Sequence, residues 1–240
     1  MPETQPVIDL QRDGDVVVLR MKDGENRFNR TSIDAINAAL DEVEAMDGSP
    51  ALVTTGEGKF YSNGLDLAWM TSDEGRADPG FIGSVLRLFA RYLVFPLPTA
   101  AAINGHAFAG GLMMALAHDH RVMRADRGFL CLPEIDLGLP LHPGMTAVIQ
   151  SRLPKQSAHE AIVSGRRYGG TDALEAGIVQ AVAAEDEVIE NAIARVAPYA
   201  GKSRETMTAL KAGLYPQALA ALGAEDLIPG MPVDPELPVV

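Results

Sequence analysis

Two short stretches of this 240-residue chain hold the residue types that proton chemistry needs. The first, Asn104-Gly-His-Ala-Phe-Ala-Gly-Gly-Leu-Met-Met114, reads as a glycine turn opening an apolar helix. Glycine at 110 and 111 lets the backbone approach a ligand closely. The first N–H groups of a helix have no intrahelical acceptor, so they point, with the positive end of the dipole, at whatever lies in front. The second, Leu132-Pro-Glu-Ile-Asp136, follows about twenty residues later and brings up one carboxylate, Glu134. A lone acid beside a site that favours developing negative charge suggests proton transfer.

A third stretch, Lys59-Phe-Tyr-Ser-Asn-Gly-Leu-Asp-Leu67, has a turn at Ser62-Asn63-Gly64 and an Asp66 placed to cap or orient a short helix. It can present a second backbone N–H. Each turn alone is more often an ordinary strand-to-helix connection or a packing device. Two in successive strand-to-helix units narrow the odds between these readings.

The elements that position these residues are read from period and punctuation. Residues 16–21 form a strand, and Thr31-Ser-Ile-Asp34 opens a capped helix to about residue 47, with Ile33, Ile36, Ala39, Leu40 and Val43 at helical spacing. The order recurs as a strand over 51–55 before a loop and short helix, and as a strand over 99–103 before the helix near Gly110. Strand then helix, repeated, predicts an α/β core with parallel strands. Residues 71–80 are polar and rich in breakers, which predicts a mobile loop beside a site. Helices are expected over 145–152, 155–164, 171–177 (capped by Thr171), 186–198 and 203–213. The prolines between 228 and 238 predict an extended tail. The domain reading is a core over 1–198, then a short helical segment with a proline-rich tail over 199–240.

Composition narrows the function classes. An apolar fraction of 47% suffices for a sizeable core, while a net charge of −12 disfavours nucleic acid as a partner, so any anionic ligand must be held locally. Cys131 is the only cysteine, which rules out an intrachain disulfide and suits a small buried apolar role. The N-terminus lacks a basic and apolar leader, and no run of 18 apolar residues occurs, so a soluble, cytoplasmic chain with no membrane partner is expected. The sequon Asn29-Arg30-Thr31 is discounted, because a three-residue match is frequent by chance.

Four segments in fixed order resemble the crotonase superfamily, the enoyl-CoA hydratases and isomerases, over roughly residues 7–200. They are Ser62-Asn-Gly-Leu-Asp-Leu67, Asn104 to Gly111 with Asp119 closing the helix, Pro133-Glu-Ile-Asp-Leu-Gly138, and Gly165 followed by Ala173-x-x-x-Gly-Ile-Val179. The resemblance implies a superhelix of repeated strand-strand-helix units with a helical C-terminal trimerisation region, and a homotrimer or dimer of trimers. It implies an acyl-CoA substrate of fatty acid metabolism and no separate cofactor, coenzyme A entering only as part of the substrate. The backbone amides of Leu65 and Gly110 would then form an oxyanion hole for the thioester oxygen.

Hydratases of that family carry two glutamates. Here the first position holds Met113, whose thioether cannot exchange protons, while Glu134 keeps the second. One remaining acid/base is what an isomerase requires: it takes a proton from C2 of a 3-enoyl thioester and returns it to C4. The wording of Glu25-Asn-Arg-Phe-Asn29, Phe60 to Trp69 and Arg124-Ala-Asp-Arg-Gly-Phe129 is similar to Δ3,Δ2-enoyl-CoA isomerases of peroxisomal and plant type. The resemblance further implies that Met113 lines the acyl pocket and that Asp66 and Leu67 belong to the substrate site. Arg27, Arg30 and Lys59 would meet the CoA phosphates, with Lys211 from the last helix or a neighbouring subunit, and backbone groups of the first loop would hold the adenine.

Other chemistries lack their parts. Five histidines, at 106, 118, 120, 142 and 159, form no His-x-x-x-His face, and His118-Asp-His120 is expected to cap a helix or lie at the surface rather than hold metal. No phosphate-binding P-loop, Gly-x-Ser-x-Gly elbow or dinucleotide-binding glycine pattern occurs. Two alternatives stay open: another acyl-CoA reaction with Glu134 acting on water, by weak hydration or thioester hydrolysis, and a non-catalytic acyl-CoA-binding protein.

Overall fold

A computed structural model describes residues 7–228 of the chain. The proline-rich tail lies outside the described residues beyond Ile228. Strand β1 (Ile8–Asp13) pairs antiparallel with β2 (Val16–Met21) across a two-residue Gly14-Asp15 turn, with Gly14 at φ +57°. Helix α1 (Arg30–Ala45) follows, then β3 (Ala51–Gly56) and β4 (Phe60–Ser62). Two short helices, α2 (Leu67–Thr71) and α3 (Asp73–Arg76), lead to α4 (Phe81–Leu93). Next come β5 (Thr99–Ile103), β6 (His106–Phe108), α5 (Gly110–Ala117), β7 (His120–Arg124), β8 (Leu130–Cys131) and α6 (Glu134–Leu137). The remainder is α7 (Pro143–Arg152), α8 (Lys155–Ser164), α9 (Gly170–Glu175), β9 (Ala181–Ala183), α10 (Val188–Val196), α11 (Arg204–Leu214) and α12 (Pro216–Ala221).

The chain alternates between two sheets. A six-stranded sheet runs β1-β2-β3-β5-β7-β9, parallel from β2 onward, and a second, all-parallel sheet runs β4-β6-β8. Each of β3, β5 and β7 in the large sheet is followed by one strand of the small sheet and then by helix, the strand-strand-helix repeat expected above. Period two sorts the side chains: Val16, Val18 and Val53 face α10, while Val17, Leu19 and Leu52 join the larger core on the other face. Both faces are covered, so these strands read as continuous apolar runs. Ala212, Leu219 and Leu222 from the C-terminal helices pack into the same large core.

Several local expectations are corrected. Asn29, not Thr31, caps α1, through reciprocal bonds with Ser32 at 3.0 Å each way, because its side chain reaches the N–H three residues on. Gly169, not Thr171, precedes α9 and makes no side-chain cap. The stretch 71–80 is not all loop: Ser72 caps the single turn of α3 by accepting from the Gly75 N–H at 3.1 Å. Of the two places expected for His118, the helix cap holds and the surface does not: it is the C-cap of α5 and is fully buried. Its ring bonds the Met114 carbonyl at 2.8 Å and the Thr54 hydroxyl at 3.0 Å, and burial drives its pKa down to about 3. Cys131 is buried, as expected, and its Sγ lies 3.2 Å from the Gly165 carbonyl. No described helix is long and apolar enough to cross a membrane, and no described group of His, Cys, Asp and Glu could hold a metal ion.

Candidate active site

The three strands of the small sheet run parallel, and each delivers one chemical group just past its carboxyl end. β4 pairs with β6 through Ser62 and Ala107, and β6 pairs with β8 through Phe108 and Cys131. Beyond these pairs lie Leu65, Gly110 and Glu134. Ligands of open parallel sheets sit in this position because every strand presents its loop on the same side. The strands are only two or three residues long, so it is their register, fixed by bonds such as Ala109 N–H to the Cys131 carbonyl at 3.0 Å, that aligns the three groups.

The peptide of Leu65 is pinned from both sides. Phe28 donates to the Gly64 carbonyl at 2.7 Å and accepts from the Asp66 N–H at 2.9 Å. Asn26, buried and at φ +49°, donates to the Phe60 and Tyr61 carbonyls at 3.1 Å each, and its own carbonyl accepts from the Ser62 hydroxyl at 2.7 Å. The turn then approaches α5 at backbone distance: a Cβ on Gly64 would lie 2.8 Å from the Gly110 nitrogen, and one on Gly111 2.3 Å from the Ser62 carbonyl oxygen. These glycines are required by contact. Neither the Leu65 nor the Gly110 N–H has an acceptor among the described residues, and both residues line one cavity.

That cavity measures about 500 Å³ and is walled chiefly by apolar side chains, Met70, Ile82, Met113, Leu141 and Met145 among them. Glu134 opens α6 at its wall. Its Oε2 is buried with no hydrogen-bond partner, and burial raises its pKa against the lowering effect of a backbone hydrogen bond. Two free N–H donors and one unpartnered carboxylate in an apolar cavity can hold negative charge on an oxygen while moving a proton beside it.

The other expected site residues divide. Arg27, Leu67 and Met113 line the cavity, and Arg27 is held by Glu25 at 2.6 Å. Asp66 caps α2 by accepting from the Trp69 N–H at 3.0 Å, which sets the helix that carries Leu67. Arg30 pairs with Asp78 at 2.6 Å. Lys59 does not line this cavity but a second, polar one of about 270 Å³. Lys211 is corrected outright: it is buried and donates to the Phe95 and Leu97 carbonyls and to Asp119, at 3.0, 2.8 and 2.7 Å. Within this fold it holds α11 against the core and has no donor left for a phosphate.

Sequence reasoning missed three contributors. Asn26 staples the first loop under the second, and its residue type, one that tolerates a left-handed backbone, is the only sequence signal of its φ of +49°. Ala109 precedes α5 at φ +48°, ψ −123°, a conformation costly for a residue with a Cβ. His142 lines the cavity and caps α7, its Nδ1 accepting from the Gly144 N–H at 3.1 Å.

Comparison with known proteins bears on this geometry. The family model described as enoyl-CoA hydratase/isomerase matches residues 11–225. The chain is 34% identical over 228 residues to enoyl-CoA delta isomerase 2, peroxisomal, of Arabidopsis thaliana, covering 90% of this chain and 95% of that protein. It is 32% identical over 218 residues to a putative enoyl-CoA hydratase of Thermus thermophilus, covering 89% and 85%. Among solved structures, a probable enoyl-CoA hydratase of Mycobacterium tuberculosis matches with a TM-score of 0.83 at 28% identity, over 91% of this chain and 92% of that one. Human mitochondrial delta3-delta2-enoyl-CoA isomerase matches with a TM-score of 0.84 at 23% identity, over 92% and 88%, a likeness of fold alone. A match across nearly the whole chain, on a fold that gathers Leu65, Gly110 and Glu134 at one sheet end, makes this chain a member of the enoyl-CoA hydratase/isomerase family.

Proposed function

We propose that this chain shifts the double bond of a 3-enoyl-CoA to the 2-trans position, with Glu134 as the single acid/base. The observation that carries the reading is the buried, unpartnered Oε2 of Glu134 in a cavity where Met113, not a second carboxylate, occupies the neighbouring wall. Ionised Glu134 takes a proton from C2. The electron pair passes into the thioester, and the charge that appears on its oxygen is held by the N–H groups of Leu65 and Gly110. The carboxylic acid so formed returns the proton to C4 as the electrons come back, leaving the double bond between C2 and C3. No water is consumed, which is why one carboxylate suffices.

The names of the Arabidopsis relatives, enoyl-CoA delta isomerases, point the same way. Hydration of 2-enoyl thioesters, the activity named for other relatives, would need a second group to place and activate water. The discriminating assay offers 3-enoyl-CoA and 2-trans-enoyl-CoA to the protein separately. Migration of the first with little hydration of the second is expected, and efficient hydration or thioester hydrolysis overturns the reading. The same reading carries a homotrimer or a dimer of trimers; Leu210 and Leu214, exposed one turn apart on α11, are the surface such an assembly would cover, and light scattering reads the mass.

A further inference from the structure

Helix α5 carries the Gly110 N–H into the cavity, and all eight of its residues are buried. A buried helix keeps both poles of its dipole, roughly half an elementary charge at each end, because no water screens them. Over eight residues the poles lie about 12 Å apart, so the negative carbonyl end opposes what the amide end offers to an oxyanion. Two guanidinium groups from different elements close that carbonyl end. Arg121 of β7 is buried and donates to the Leu116 and His118 carbonyls at 3.3 and 3.0 Å, and through Nε to the Ile178 carbonyl at 2.7 Å. Arg152, the last residue of α7, donates to the same two carbonyls at 2.8 and 2.6 Å, and to that of Asp119 at 3.1 Å. Its remaining nitrogen donates to the Tyr215 hydroxyl.

Carbonyls at a helix end ordinarily take water or one capping residue. Here the Leu116 and His118 carbonyls each take both arginines. Neither charge is paired with a carboxylate among the described residues. Asp119 is the acid beside them, and its Oδ2 already accepts from Lys211 at 2.7 Å and from the Thr99 N–H at 2.8 Å. Burial, and after it the closeness of Arg152, pulls the Arg121 pKa down to about 9, so the fold holds these like charges together against their repulsion. Two full charges exceed the roughly half charge of the negative pole they cover. The excess leaves a positive potential directed along α5 towards Gly110.

We propose that Arg121 and Arg152 are positioning residues of the oxyanion hole: acting through α5, they cancel its negative pole, so the Gly110 N–H meets a thioester oxygen with the positive pole unopposed. The proposal rests on reading Leu65 and Gly110 as donors to that oxygen. Raman difference spectroscopy of the thioester carbonyl band of 2-trans-enoyl-CoA, free and bound, together with kcat and KM on a 3-enoyl-CoA, tests it. Wild type lowers the band. Arg152→Gln returns it towards the free value and lowers kcat about tenfold, as one charge removed at that distance implies, while KM stays within about twofold. Arg152→Lys, which loses hydrogen bonds and keeps the charge, restores both band and rate. Tyr215→Phe, which removes only a partner of Arg152, changes neither, whatever it does to urea unfolding. An Arg152→Gln chain that unfolds more easily yet keeps the wild-type band and kcat overturns the proposal, because the arginine then only caps a helix. So does an Arg152→Lys chain that falls as far as Arg152→Gln. Where Arg152→Gln does not fold, Arg152→Lys decides: a band moved to the free value overturns the proposal, and an unmoved band supports it. A wild-type band at the free value removes the oxyanion-hole reading itself and the proposal with it. A lowered wild-type band that Arg152→Gln raises, with no double-bond migration by either protein, leaves the proposal standing and removes the isomerase reading alone.

Discussion

Burial raises the pKa of Glu134, and the shift acts with opposite sense on folding and on turnover. An unfolded glutamate titrates near 4.3. Below that value Glu134 is neutral in both states and costs nothing; as pH rises through the higher folded value, the folded chain must carry a poorly solvated charge and loses stability. Glu134→Gln is therefore expected to unfold at a higher urea concentration than wild type at pH 7 and at the same one near pH 4. A difference that does not change with pH would contradict the burial argument. For turnover the base must be ionised, so the acid limb of kcat/KM should lie above the ordinary carboxylate range. Met113 makes the complementary case: it is wholly buried, so Met113→Glu should destabilise the fold while adding a group able to position water. Trace hydration of 2-enoyl-CoA by that variant is the expected gain, and none would show that water placement needs more than one carboxylate.

Among the elements, the turn into α5 concentrates the structural demands. Gly64→Ala would drive a Cβ to within 2.8 Å of the Gly110 nitrogen, at a backbone φ of +73° that already favours glycine. Losing one oxyanion donor costs on the order of 100-fold in kcat, so that loss with retained folding is the expected result by kinetics and circular dichroism. Ala109→Gly should do the reverse, relieving a strained φ and raising stability by about 1 kcal/mol by denaturant unfolding.

This turn also marks how far the sequence could be read. The glycine pattern and the longer strands announce themselves through spacing and apolar runs, whereas Glu134 is marked by the family resemblance of the motif around it. Strands β4, β6 and β8 do not, since two or three residues carry no period, and their pairing is fixed by contacts between residues more than twenty apart in sequence. Helix α4 is masked by the breaker-rich stretch before it, and β1 by its exposed polar residues, although Gly14-Asp15 is a hairpin signal. The cap of α1 was misplaced by two residues because Asn29 and Thr31 are both good capping types, and only the fold decides between them.

Across the whole molecule, a polar cluster around Asp119 ties α11 to the large sheet. Asp119 accepts from the Thr99 N–H at 2.8 Å and from Lys211, whose remaining protons go to carbonyls before β5. Lys211→Met should leave Asp119 without its cation and cost about 3 kcal/mol of stability, without raising the KM for CoA thioesters. A raised KM with unchanged stability would restore the ligand role that the sequence suggested for this lysine.

The most direct test of the whole account compares wild type with Glu134→Gln on a 3-enoyl-CoA, following the conjugated 2-enoyl product by its absorbance and ligand affinity by calorimetry. Roughly a 1000-fold fall in kcat with nearly unchanged thioester binding is predicted. Turnover within about tenfold of wild type would contradict Glu134 as the single acid/base.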